Sequence, residues 1–192
     1  MEKPPIHTYI PIIIGVISVS LSAIFVKLSS ADAGVIAFYR MLFSIMIMLP
    51  WFLMKYKNEI KVLSKRDWIF SSIAGVFLSF HFILWFESLN YTSVASSTVL
   101  VTMQPLFAFI GTYLFFKEKI TLQTFISGGI AILGIVLISW GDFKISGTAL
   151  YGDILALIAC ALITGYLLFG QEKQKRLSLV TYTMVVYSVS TV

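Results

Sequence analysis

Seven apolar stretches, joined by short connections, constrain this 192-residue chain more than any other feature. They run over about 9–28, 34–54, 68–88, 93–116, 121–141, 149–170 and 179–192. A helix needs about 20 apolar residues to cross a bilayer, so the first six are long enough to span. The seventh stretch offers 14 residues before Val192. At 1.5 Å per residue it reaches about 21 Å, short of the ~30 Å hydrocarbon core. No stretch alternates with the period of two that a membrane barrel requires. Composition agrees: 58% of residues are hydrophobic and 12% charged, against about 25% charged in soluble domains. The sequence therefore predicts an all-α polytopic membrane protein with six full transmembrane helices and a partial seventh, embedded in a lipid bilayer. Disordered, disulfide-scaffold and nucleic-acid-binding classes are excluded, because the net charge of +5 sits in short loops between spans.

Basic residues set the orientation, since short cytoplasmic loops carry the excess of lysine and arginine. Eleven of the 14 fall on one side: Lys3, then Lys55, Lys57, Lys61, Lys65 and Arg66, then Lys117 and Lys119, then Lys173, Lys175 and Arg176. Lys144 lies in a loop on the other side and Lys27 at a span edge there, while Arg40 lies within a span. The N-terminus is expected in the cytoplasm of a cell with an inner (plasma) membrane. Trp51, Trp68, Trp85 and Trp140 fall at or near span ends, as an aromatic belt would place them. Ser29-Ser30-Ala31 is a weak cleavage-like site, but the apolar run before it is longer than the 7–15 residues of a signal peptide. The first stretch reads as a retained span.

A repeat is visible at a constant offset of 144. Phe25 falls on Phe169, Phe38 on Tyr182, Phe43 on Tyr187 and Ser44 on Ser188. Five spans separate the starts of the two copies, so the second enters the membrane from the opposite side, the arrangement of inverted-repeat transporters. The expected units are 1–146, five helices, and 147–192, the opening of a second repeat.

Several polar residues lie at depth. Arg40 is about 9 Å inside the second span. An arginine at the helix centre costs roughly 2.5–3.5 kcal/mol on insertion scales, which favours a partner or an aqueous cavity, with snorkelling as the alternative. His81 lies at a similar depth on the third span, with Trp85 one turn away on the same face. Arg40, His81 and Trp85 together would suit a small anion or zwitterion, the guanidinium holding a carboxylate. A neutral His81 bonded to a neighbouring helix is the structural alternative. Thr102, Gln104 and Pro105 fall near the midplane of the fourth span. Pro105 lacks an amide hydrogen, so the Val101 carbonyl loses its helical partner, and broken backbone at that depth lines a cavity or is satisfied by a nearby hydroxyl. Lys27 and Glu87, at outer span ends, form either an outer gate or a solvated interfacial pair. Glu118 reads as a loop contact, and Asp153 as a carboxylate near the positive start of the sixth span.

Small residues at helical spacing mark close helix contacts: Gly15, Ser18 and Ser22; Ser127, Ala131 and Gly134; Ala156, Cys160 and Thr164. His7 and His81 are the two histidines, and there is no paired-histidine motif, nucleophile elbow or phosphate-binding glycine loop. Neither a cofactor nor an enzyme activity is expected.

FVKLSS at 25–30, IAFYRMLFS at 36–44, LNYTSVASSTVLVTMQPLF at 89–107, TYLFFKEKIT at 112–121, SGGIAILGIVLIS at 127–139 and GDILAL at 152–157 resemble the EamA-type branch of the drug/metabolite transporter superfamily. The resemblance covers essentially the whole sequence. It implies a ten-helix exporter of amino acids or related metabolites, built from two five-helix halves working by alternating access, and an arginine after the aromatic pair as at Arg40. By that reading the present residues are a C-terminally truncated member. A homodimer would supply the missing repeat. The rival readings are a flippase for a lipid-linked carrier and a non-transporting membrane scaffold.

Overall fold

The computed structural model describes residues 9–117, 121–143, 147–173 and 177–191. Eight α-helices follow in order: α1 (Tyr9–Leu28), α2 (Ala33–Lys55), α3 (Lys65–Tyr91), α4 (Val94–Val101), α5 (Gln104–Phe116), α6 (Leu122–Phe143), α7 (Ala149–Lys173) and α8 (Leu179–Ser190). A short 3-10 helix, Lys57–Val62, joins α2 to α3. Six segments are long and apolar enough to cross a membrane, with α4 and the start of α5 forming one of them, Val94–Gly111. Among the described residues there is no strand. Glu118, Lys119, Lys144, Lys175 and Arg176, which entered the loop readings, lie outside the described residues.

Helix starts follow from local chemistry. Ser64 opens α3 with a capping box: its hydroxyl accepts from the Asp67 amide at 3.2 Å, while Asp67 accepts from the Ser64 amide at 3.0 Å. Ser93 caps α4 and Ser178 caps α8 in the same way, through Ser96 N and Thr181 N. The fourth span breaks at Thr102–Met103, where Pro105 cannot donate to the preceding turn. The Thr102 hydroxyl donates at 2.9 Å to the Val99 carbonyl, two residues before the Val101 carbonyl that Pro105 cannot serve.

Helix α3 is the axis of the bundle. It packs along α7, against α8 and α2, and more lightly against α1. Its buried Ala74, Leu78, Phe82, Trp85, Phe86 and Leu89 join Ala23, Ala37, Met41, Ala159, Tyr182 and Val186 from the surrounding helices in one core cluster. Close approach depends on small residues. A β-carbon on Gly75 would lie 2.7 Å from Val189 Cβ and 2.8 Å from the Val186 carbonyl oxygen on α8. The stripe Ala156, Cys160 and Thr164 on α7 is buried, as the sequence implied. The other two stripes are not packed in this way: Gly15 and Gly134 meet open space, and Ser127 is exposed.

Large apolar side chains stand outward, among them Ile12, Ile13, Ile14 and Val16 on α1 and Ile130, Leu133 and Leu137 on α6. Aqueous surfaces rarely carry contiguous patches of that kind. With lipid as solvent they need no cover. The molecule is a multi-pass α-helical membrane protein.

Candidate functional site

Two ends of the bundle can be told apart by their contacts. At the Ser29 end, α1 finishes, α2 begins, and the Tyr91 and Tyr151 rings meet edge to face at 4.9 Å. At the other, the Lys57 end, Glu59 of the 3-10 helix accepts from the Ser178 amide at 3.2 Å and from its hydroxyl at 2.6 Å. These bonds hold the Glu59 carboxyl below its ordinary pKa, with Thr181 adding to the effect.

A cavity of about 500 Å³ lies between α1, α2 and α3, lined in part by Ser18, Ser22, Phe25, Ser29, Arg40 and Phe86. Arg40 is half-buried there. Its Nη1 donates to Ser22 Oγ at 2.5 Å. The guanidinium carbon sits 4.6 Å from the Phe82 ring centroid and 5.8 Å from that of Phe86, on one helical face of α3. Cation–π contact of this kind holds a guanidinium in an apolar setting without neutralising it. Among the described residues no carboxylate pairs with Arg40. One donor of its five is spent on Ser22, which leaves planar, charged donors for a ligand in the cavity. Ser22, read from sequence as a packing residue, is therefore a partner of the buried charge.

His81 and Trp85 are brought near this arginine but face away from the cavity. His81 is buried, and its Nδ1 lies 2.8 Å from the Ala159 carbonyl oxygen on α7. A carbonyl only accepts, so Nδ1 donates and His81 ties α3 to α7. Its ring stacks on Trp85 at 5.9 Å. Trp85 is itself in the core, rather than in the aromatic belt that its sequence position suggested. The structural alternative for His81 describes its contacts.

Thr102 and Pro105 line a second cavity of about 310 Å³, against Ser127, Gly128 and Ala131 of α6. It shares no lining residue with the first. Gln104 is half-buried beside the break and lines neither. The sequence-stated set thus divides into an arginine cavity, a core pair and a helix break. Lys27 donates to the Leu89 carbonyl, and Glu87 accepts from Asn90 Nδ2 at 3.3 Å, so the two charges take different partners.

Sequence reasoning missed the aromatic platform and the setting of Asp153. Phe82 and Phe86 recur at i and i+4, a signal that reads equally well as lipid-facing surface. Asp153 lies five residues into α7, 1% exposed, and its Oδ1 accepts from Thr92 Oγ1 at 2.8 Å and Ser96 Oγ at 3.0 Å.

A helical membrane bundle thus carries, among the described residues, a cationic side chain without a carboxylate partner on a cavity, which marks a candidate functional site. Residues 7–140 match the EamA-like transporter family, and the chain belongs to that family. Over 120 residues, 62% of this chain and 32% of the relative, it is 29% identical to solute carrier family 35 member G1 of Mus musculus. Over 154 residues, 80% of this chain and 52% of the relative, it is 25% identical to an S-adenosylmethionine uptake transporter of Rickettsia bellii. A probable 4-amino-4-deoxy-L-arabinose-phosphoundecaprenol flippase subunit, ArnE, of Hamiltonella defensa is 29% identical over 77 residues, 40% of this chain and 69% of the relative. The chain thus spans about a third to a half of the two larger relatives and about two thirds of the flippase subunit. No solved structure matches it. The EamA-like family is one of membrane transporters, and the two larger relatives are themselves a solute carrier and an uptake transporter.

Proposed function

We propose that this transporter exports small anionic or zwitterionic metabolites, of the amino-acid class, across the inner (plasma) membrane by alternating access. The carrying observation is the Arg40 guanidinium, laid on Phe82 and Phe86 beside a serine-lined cavity and given no carboxylate partner among the described residues. A substrate carboxylate would supply that partner through paired N–H donors, and its apolar part would lie against Phe25 and Phe86. In this reading residues 1–146 form one repeat, 147 onward opens the second, and the N-terminus is cytoplasmic. A homodimer is part of the same reading. Substrate contacts at Thr102, Gln104 and Pro105 and an outer gate at Lys27 and Glu87 belong to it too.

Similarity to ArnE favours a second reading, movement of a lipid-linked carrier whose phosphate would take the place of the carboxylate. The product of the full reading frame, reconstituted in liposomes, is tested for counterflow of radiolabelled amino acids with and without undecaprenyl phosphate as competitor. Losing a charged hydrogen bond costs about 1.5–3 kcal/mol, so Arg40→Ala should weaken half-saturation roughly 10-fold to 150-fold. Arg40→Lys should recover part of that loss. Wild-type counterflow in Arg40→Ala overturns the site. Saturable binding of undecaprenyl phosphate to the reconstituted protein, in the absence of any amino-acid counterflow, selects the flippase.

A further inference from the structure

A cavity of about 480 Å³ lies at the Lys57 end, remote from the Arg40 site, and is lined in part by Phe52 of α2, Ile60 of the 3-10 helix, Trp68 of α3 and Val185, Ser188 and Val189 of α8. Its walls are aliphatic and aromatic, and the Ser188 hydroxyl is spent on the Met184 carbonyl of its own helix at 2.7 Å. From Leu179 to Val189 the α8 wall rises about 15 Å, so the cavity runs from the helix ends into the hydrocarbon layer. Exposed cations crowd the same corner: Lys55, Lys57, Lys61, Lys65 and Arg66. Three of them stand one turn from a lining residue. Lys55 follows Phe52 by three residues and Lys65 precedes Trp68 by three, each one helical turn toward the Lys57 end. Lys57 precedes Ile60 by three in a 3-10 helix, where side chains three apart eclipse. The other two lie off these faces. Lys61 is a third of a turn from Ile60, and the Arg66 guanidinium sits over the Phe70 ring at 5.4 Å, beside Phe169 of α7. The carboxylates of this stretch are engaged: Glu59 accepts from the Ser178 amide and hydroxyl, and Asp67 from those of Ser64. Lys55 Nζ lies 4.1 Å from the Trp51 ring centroid, a contact that keeps its charge at the depth where interfacial tryptophans sit.

Cations at the membrane surface beside an apolar groove between spans suit an anionic lipid, with its phosphate among the charges and its chain below them. We propose that this corner binds one anionic phospholipid of the adjoining leaflet, its phosphate held by Lys55, Lys57 and Lys65 and one acyl chain laid in the cavity against Phe52, Val185 and Val189. The apolar lining fits a hydrocarbon chain and gives no hydrogen bonds to a hydrated ion or a sugar. A free phosphate would meet the cations and leave the groove empty. A neutral lipid would fill the groove and leave the charge unanswered. The bound lipid covers apolar surface shared by α2, the 3-10 helix and α8, and so adds to the hold that Glu59 has on the α8 cap.

The test needs no transport substrate, so its failure and failure of the Arg40 reading are separate results. The purified full-length protein, stripped of lipid in a neutral detergent, is titrated by native mass spectrometry with dioleoyl phosphatidylglycerol and with dioleoyl phosphatidylcholine. One phosphatidylglycerol per chain should bind saturably, and phosphatidylcholine more weakly. At about 5-fold per basic residue near a membrane surface, Lys57→Gln combined with Lys65→Gln should weaken phosphatidylglycerol binding about 30-fold. Lys61→Gln combined with Arg66→Gln removes the same net charge away from the lining faces and should cost less than about 5-fold. Ser188→Phe keeps every charge and places a ring in the cavity. Displacing two methylenes of the chain should weaken binding about 15-fold. Ser188 is exposed, so this variant should fold, and its elution in size-exclusion chromatography checks that it does. Equal binding of the two lipids overturns the proposal, and so do equal losses in the two paired variants. Wild-type affinity in Ser188→Phe, the result expected if another segment of chain fills the cavity, overturns it as well. Displacement of the lipid by an equal concentration of glycerol 3-phosphate would assign the cations to a free phosphate instead.

Discussion

Alanine in place of Gly75 should force α3 and α8 apart, and the size of the effect follows from the contact distances. The added β-carbon would meet Val189 Cβ at 2.7 Å and the Val186 carbonyl oxygen at 2.8 Å, both inside van der Waals contact. One of these is backbone, which cannot rotate away. Overpacking of this kind costs about 1–3 kcal/mol. Separation also strains the bond from Ser190 Oγ to the Gly75 carbonyl, 2.8 Å long, and interhelical bonds in membranes average about 0.6 kcal/mol. Gly129 on α6 is the matched control, since nothing lies within 4 Å of a β-carbon built there. Both replacements gain roughly 1 kcal/mol of helix propensity, so the difference between the two variants isolates packing plus the strained bond at about 1.6–3.6 kcal/mol. At roughly 2–4 °C per kcal/mol for a chain of this size, Gly75→Ala should melt at least about 3 °C below Gly129→Ala. Thermal denaturation in detergent, followed by size-exclusion chromatography, reads the difference. Equal melting temperatures would mean that α8 does not dock on α3 as described.

Two further outcomes follow from the Lys57 end and from the loops. Glu59 has a lowered pKa because Ser178 and Thr181 stabilise its charged form, so its contribution is present above its ordinary value of 4.5 and fades as pH falls through the lower folded value. Wild type should therefore melt higher than Glu59→Gln at pH 7, and the gap should close on acidification below pH 4.5. A gap that stays constant with pH would dissociate the carboxylate from the α8 cap. For orientation, Lys61→Cys in intact cells should be protected from an impermeant thiol reagent while Asp142→Cys is labelled, both in a Cys160→Ala background. The reverse labelling would invert the assignment of the cytoplasmic side.

What the sequence determined by itself is local in origin. Span positions come from runs of apolar residues, and the six long helices fall within a few residues of those runs. Pro105 breaks the fourth span through its own missing N–H, a fact that needs no neighbour. Burial of Ala156, Cys160 and Thr164 was legible because small residues at that spacing suit close approach. The same spacing misled on α1 and α6, where Gly15 and Gly134 face open space. Lipid is as apolar as a protein core, so periodicity cannot say whether a face meets a helix or the bilayer. For that reason only the tertiary structure made α3 the axis, turned Trp85 and His81 into the core, and set Ser22, Phe82 and Phe86 around Arg40. It alone decided, too, that Asp153 is bound across the bundle to Thr92 and Ser96 rather than standing free at a helix start. Which polar groups meet at depth depends on contacts 18 to 78 residues apart in the chain, and no local pattern of residues carries that pairing.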